Sequence, residues 1–206
     1  MLNNSFLLPS SYFAPISYYS IIYIYPESII EKHEYFVKQT IRNRCSVCCP
    51  NGILNLSIPR IRKNSSKTLI KDIQICYTEP WQKIHWKTIK TCYNSSPFFE
   101  YYMEKIHALY QKTEKYLIDF NHRSHRLVLD LLESDQAINY SQKYDLDTPL
   151  KDYRKYSFNN ENIIKYDQVF SQENRFINNL SIIDLIFNLG PESDSYLKKI
   201  DVSKIY

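Results

Sequence analysis

The stretch LIKDIQICYTEPWQKIHWKTIKTC (69–92) holds the change of pattern on which the fold class turns. In its first part Leu69, Ile73 and Ile75 fall on one side of an extended chain and Asp72 and Gln74 on the other. That is a period of two, one face buried and one wet. From Glu79 the period lengthens. Trp81, His85, Ile89 and Cys92 recur at i, i+4, i+8 and i+11, a single helical stripe. Thr78 is placed to cap that helix, and Pro80 sits at an early position where a missing N–H costs nothing.

Working outward, the residues before this point predict mainly strands. Tyr18 to Tyr25 is rich in Ile and Tyr and stops at Pro26; Ile53 to Ile61 follows the turn pair Asn51-Gly52, with Leu54, Leu56 and Ile58 alternating with Asn55 and Ser57. The residues after it predict helices. Ser96-Pro97 with Glu100 opens one whose inner face is Phe99, Met103, Ile106, Tyr110 and Leu117; Asn121 caps another through Leu127, Val128, Leu131 and Leu132. Residues 134–165 are polar and weakly patterned, which marks a functional or mobile segment. Ser181 with Asp184 forms a capping-box pattern before Ile182, Ile183, Leu185, Ile186 and Phe187, and that role accounts for Asp184; Gly190-Pro191 ends the helix. The expected fold class is α+β, a single domain over 1–206, with strands mainly in the N-terminal half and helices mainly in the C-terminal half.

Composition removes several functions. The chain has only two glycines, Gly52 and Gly190, so neither a P-loop nor a glycine-rich dinucleotide turn can be built. A net charge of +4 admits an anionic substrate but is too weak to argue for nucleic acid. The stretch before Glu27 carries no charge, yet Pro9, Pro15 and Pro26 interrupt it and it has neither a basic n-region nor a cleavage site. It reads as buried chain, with no membrane insertion and a cytoplasmic location. Five cysteines, an odd number, then suggest reduced thiols. Cys45-x-x-Cys48 is half of a zinc pattern, but Cys76 and Cys92 lack the paired spacing of the other half, so no metal is expected.

The segment richest in candidate chemistry is Glu34 to Cys49. Read as a strand, it puts Tyr35, Val37, Ile41, Cys45, Val47 and Cys49 on one face and Glu34, Lys38, Arg42 and Arg44 on the other. The three cations then project one way over roughly 20 Å. Guanidinium groups suit phosphate and carboxylate oxygens, which they bind in bidentate fashion. Read as a helix, the segment keeps Lys38 and Arg42 together and loses Arg44. On spacing alone an ordinary solvated face is the simpler reading. His85 has the near-neutral pKa that suits proton transfer, although an apolar stripe more often holds a hydrogen-bonded core histidine. A Cys45–His85 nucleophile pair is conceivable; His122 and His125 are spaced as a metal pair but lack a third ligand.

Taken in order, YFAPISYY (12–19), EKHEYFVKQTIRNRC (31–45), NGILNLSIP (51–59), WQKIHWKTI (81–89), SPFFEYY (96–102), LIDFN (117–121) and YDQVFSQENRFINNLSIIDLIFNLGPES (166–193) resemble the WbqC-like family of bacterial proteins, in the branch seen in Bacteroidetes. Ile41 stands where that family commonly has an aromatic residue, and Asn174-Arg175 where it has glycine. Cys48 and Cys49 are not part of its pattern. The resemblance implies a transferase of surface-polysaccharide (O-antigen) or sugar-nucleotide metabolism, acting on an anionic small molecule or sugar phosphate without a cofactor. The polar residues of its shared stretches are Glu34, Lys38, Gln39, Arg42, Asn43, Arg44, Asn51, Trp81, His85 and Asn121. The expected site therefore has His85 as general base and Glu34 orienting the substrate or a cation. Lys38, Arg42 and Arg44 hold the anion, with Asn43 and Trp81 beside them. The alternative is a non-catalytic binding or scaffold protein that docks an acidic partner on the same basic surface; RNA binding through Tyr and Arg is a third reading.

Overall fold

A strand that ends and resumes in the same direction must be bridged by a crossover, and the first thirty residues obey that rule. In the computed structural model, which describes residues 5–62, 67–158, 163–171 and 175–205, β1 (Phe6–Pro9) and β2 (Ile29–Glu31) pair in parallel. The link between them is α1 (Ile16–Ile24). This corrects the expectation of a strand at Tyr18–Tyr25. The helix is buried from Ile16 through Tyr23, so it needs no polar face and shows no amphipathic period. A short apolar run of this kind reads alike as helix and as strand. Ser20 Oγ returns a hydrogen bond to the Ile16 carbonyl, one turn back.

Two short strands from the polar middle segment complete the sheet. β5 (Asn139–Tyr140) adds to β2 and β6 (Lys151–Asp152) adds to β1, both parallel, giving the order β5-β2-β1-β6. Residues 134–165 are thus partly structural, although 159–162 lie outside the described residues. A separate antiparallel hairpin joins β3 (Arg44–Cys49) to β4 (Gly52–Ser57), as the Asn51-Gly52 turn predicts. Gly52 has φ +100°, backbone that a side chain rarely adopts. The extended stretch expected from Leu69 through Ile75 is instead a 3₁₀ turn at Ile70–Asp72 followed by isolated bridges from Ile75 to Arg60 and from Gln74 to Tyr116. Its sidedness holds for Ile73 and Ile75, which are buried, and for Asp72, which is exposed.

The helices follow the predicted order with shifted ends. α2 spans Trp81–Tyr93, and Trp81, His85, Ile89 and Cys92 are all buried, as their spacing requires. α3 spans Phe99–Gln111 and α4 spans Leu117–Leu131. Leu117 therefore opens α4 and does not extend α3. Asn121 is not a cap: it lies buried inside α4 and its Nδ2 donates to Ser10 Oγ and to the Arg42 carbonyl. α5 (Ile182–Leu189) and α6 (Glu192–Lys199) close the chain against α1. One contiguous apolar cluster runs from β1 and α1 through the hairpin to α5 and α6. The result is an α+β fold with strands mainly N-terminal and helices mainly after them. Among the described residues no helix is long and apolar enough to cross a membrane.

Cys49 at the end of β3 and Cys92 on the α2 stripe are joined by a disulfide. The expectation of reduced thiols fails for this pair because the stripe that carries Cys92 packs on the hairpin. Cys45 remains a buried thiol, hydrogen-bonded to the Tyr12 hydroxyl and pushed well above the ordinary range by burial. A thiolate nucleophile is not what that setting favours.

Gly190 has φ +55°, and a Cβ built there would lie 2.4 Å from Cδ1 of Phe98. Both backbone and space demand glycine. Gly190→Ala is expected to cost about 2–3 kcal/mol of stability, measured by equilibrium denaturation.

Candidate functional site

All four strands of the sheet point the same way, so their carboxyl ends share one edge. β1 is flanked by β2 on one side and by β6, reached last, on the other. That is a reversal of strand order, and in open parallel sheets such an edge is where ligands bind. Here the edge carries buried charge. β2 ends on Glu31, whose Oε1 accepts from Ser141 Oγ and from the His33 N–H. Arg154, two residues past β6, pairs with Glu31 at 3.3 Å and with Asp152 at 2.6 Å.

The loop after β2 adds a second pair. Arg42 Nε and Nη2 donate to the two Glu34 oxygens at 2.7 and 2.6 Å; Nη2 also donates to the Arg154 carbonyl, and Nη1 to Thr40 Oγ1. Both side chains are buried. Burial lifts the Glu34 carboxyl above its ordinary value even with the guanidinium beside it. This corrects the strand reading of 34–49: residues 38–43 form turns, and only Arg44–Cys49 is strand.

Above these pairs opens a cleft of about 680 Å³. One wall is the hairpin face bearing Arg44, Ser46, Asn55 and Ile53, which the β3–β4 register puts on one side. The rest of the lining includes Arg154–Phe158, Asn178–Leu180, Glu34 and Arg42. Among the described residues four cations (Arg42, Arg44, Arg154, Lys155) and one carboxylate (Glu34) line it. Arg44 Nε donates to Ser57 Oγ at 3.0 Å; its terminal nitrogens have no protein partner among the described residues. Gln39 and Asn179, also in the lining, have φ of 58° and 50°, the kind of backbone strain that collects at functional sites.

Of the expected site residues, the structure brings Glu34, Arg42 and Arg44 into this cleft. Lys38, Asn43, Trp81 and His85 are not in its lining. Lys38 is exposed on a turn. Asn43 Nδ2 is spent on the Ile58 carbonyl. Trp81 and His85 pack with Tyr12, Tyr110 and Phe120 in an aromatic cluster. His85 Nδ1 lies 3.0 Å from the Tyr12 hydroxyl, the ring bonds the Ser57 backbone, and burial pushes its pKa down to about 4. The imidazole and the cations therefore do not share a hollow, because the α2 stripe that holds His85 faces the core. His125 stacks on buried Tyr19 and His122 bonds the Tyr140 hydroxyl. Of the family departures, Arg175 has φ 58°, while Asn174 lies outside the described residues.

Two elements of this chemistry escape a reading by motif. Arg154 and Lys155 sit in the weakly patterned segment, where the one usable signal is a pair of basic residues between Tyr153 and Tyr156. Asp184 is the other. Ser181 gives no side-chain cap and donates instead to the Phe13 carbonyl. The Asp184 carboxylate accepts from Tyr93 and Tyr166 hydroxyls at 2.8 and 2.5 Å and from Gln168 Nε2 at 3.3 Å. Tyr93 in turn accepts from the Cys48 N–H, so the carboxylate ties α5 to α2 and the hairpin. Burial raises its pKa to about 6.

Fold and cleft together define an α+β protein with a small parallel sheet and a cation-lined pocket at the sheet's carboxyl edge. The chain belongs to the WbqC-like protein family, whose model matches residues 10–157 and 151–196. Comparison with curated proteins and with solved structures finds no match.

Removing one member of a buried ion pair leaves the other uncompensated. Arg42→Ala is expected to cost about 3–5 kcal/mol, whereas Arg44→Ala is expected to stay within about 1 kcal/mol, both by urea denaturation. Asp184 titrates at about 6 when folded, against 3.8 for an ordinary aspartate. Its contribution to stability is therefore complete below pH 4 and is lost as pH rises through 6, by about 2–3 kcal/mol. The stability difference between wild type and Asp184→Asn, followed from pH 4 to 7, is expected to change by that amount; a flat difference would contradict it.

Proposed function

We propose that this protein is a transferase of surface-polysaccharide or sugar-nucleotide metabolism that holds an anionic small molecule in the cleft at the sheet's carboxyl edge. The observation that carries the reading is the imbalance, among the described residues, of four cations over one carboxylate in a concave site, with the terminal N–H groups of Arg44 unspent on them. Arg44 and Lys155 take the anion. Arg42 and Arg154, already neutralised by Glu34, Glu31 and Asp152, shape the floor. Glu34 orients the substrate only through Arg42, since both of its oxygens are engaged. His85 acts as a positioning residue: it holds the backbone of Ser57, and the Ser57 hydroxyl holds Arg44.

One observation favours a second reading, a binding protein without catalysis. Among the described residues no histidine lines the cleft, and the one carboxylate there is paired. Product formation from a sugar nucleotide separates the two.

Calorimetric titration with sugar phosphates and sugar nucleotides tests the site itself. Arg44→Ala is expected to weaken binding roughly 10- to 100-fold, the worth of a charge-assisted hydrogen-bond pair, with the melting temperature nearly unchanged. Equal affinity in the variant, or no binding by wild type, would remove the cleft from consideration.

A further inference from the structure

The hairpin wall of the cleft is graded along its length. Its cross-strand pairs on the cleft side are Arg44 with Ser57, Ser46 with Asn55, and Cys48 with Ile53. The wall thus runs from a guanidinium, through two small polar side chains, to an isoleucine. Ser46 Oγ is engaged by Asn55 Oδ1 at 2.8 Å, which keeps the middle rung flat and polar. Four residues of strand separate the ends, about 14 Å. Ile53 is 57% exposed, and two further apolar side chains of the lining, Tyr35 and Val37, are 55% and 49% exposed. Apolar groups left this open within a concave site mark where part of a ligand is covered.

The charge at the other end is also specific. Of the four cations, Arg42 is bound by the buried Glu34, and Arg154 by the buried Glu31 and the exposed Asp152. Arg44 and Lys155 remain, and neither forms an ion pair among the described residues, although Lys155 lies near enough to Asp152 to hold its carboxyl down. Two positive charges outside any ion pair in one cleft exceed what a single carboxylate or sulfate monoester neutralises. They match a group with two or more negative charges and several acceptor oxygens. A lone phosphate held by Arg44 would leave the isoleucine end of the wall uncovered.

We infer that the ligand of this cleft is a diphosphate ester, its diphosphate held by Arg44 and Lys155 and its organic group lying along the hairpin onto Ile53. This rests on the anion site proposed above and specifies what occupies it. The diphosphate is the shared chemistry of two sources, a nucleoside diphosphate with a planar base and a prenyl diphosphate with an aliphatic chain.

The test is calorimetric titration of the full chain with inorganic pyrophosphate, uridine diphosphate and geranyl diphosphate, in wild type, Arg44→Ala and Ile53→Ser. Ile53 is exposed, so its replacement leaves the fold intact; circular dichroism checks this. At least one organic diphosphate is expected to bind about tenfold more tightly than pyrophosphate. Ile53→Ser is expected to remove most of that advantage while leaving pyrophosphate affinity unchanged, and Arg44→Ala to weaken all three. The tighter of the two organic ligands identifies the source. Pyrophosphate binding that depends on Arg44, with no organic advantage or none that Ile53→Ser removes, would overturn the inference and leave the anion site standing. Binding of galacturonate in preference to every diphosphate would do the same. Failure of all these anions to bind would overturn both.

Discussion

A carboxylate and a guanidinium held together away from water, Glu34 and Arg42, are the constraint around which the rest of the site is arranged. Either charge alone would be too costly to bury, and the bidentate geometry makes burial of both tolerable. Arg42 then uses its remaining reach on Thr40 and on the Arg154 carbonyl, while its own carbonyl accepts from Asn121 of α4. The loop after β2, the segment after β6 and the fourth helix thus meet at one residue. This pair, with the pairing of Arg154 to Glu31 and Asp152, leaves two of the four cations lining the cleft among the described residues already compensated.

The parallel sheet supplies the second half of the design. Parallel strands bring every carboxyl end to one edge, and the order β5-β2-β1-β6 sends the chain to one side of β1 and then to the other. The loops that leave that edge diverge, and a crevice forms between them. Into it the hairpin presents its polar face, held from behind by the Cys49–Cys92 disulfide and by the Cys48–Tyr93–Asp184 chain of hydrogen bonds. The aromatic cluster of Tyr12, Trp81, His85, Tyr110 and Phe120 supports the same hairpin from the core. It reaches the hairpin at Ser57, whose backbone His85 bonds and whose hydroxyl accepts from Arg44.

Parts of this were legible before any coordinates. The α2 stripe of Trp81, His85, Ile89 and Cys92 and the Asn51-Gly52 turn depend on local periodicity and local backbone preference, and both stand. Glu34, Arg42 and Arg44 were recognisable as a cationic group with one carboxylate. Their mutual geometry was not, because residues 38–43 turn and no period describes a turn. α1 read as a strand because complete burial erases the amphipathic signal. Arg154 was invisible because its role comes from partners far away in sequence, Glu31 and the Arg42 guanidinium.

The amino-acid sequence by itself determined the order of strand-rich and helix-rich halves, the absence of glycine-built nucleotide loops, and the family, since each rests on composition or on residues near one another in the chain. Only the tertiary structure decided that His85 faces the core, that Asp184 is a buried tie and no mere cap, and that Arg44 shares a cleft with Arg154 and Lys155. Those outcomes depend on which faces of distant elements are pressed together, and the free energy of burying a charge or a ring is set by that packing and by nothing local to the residue.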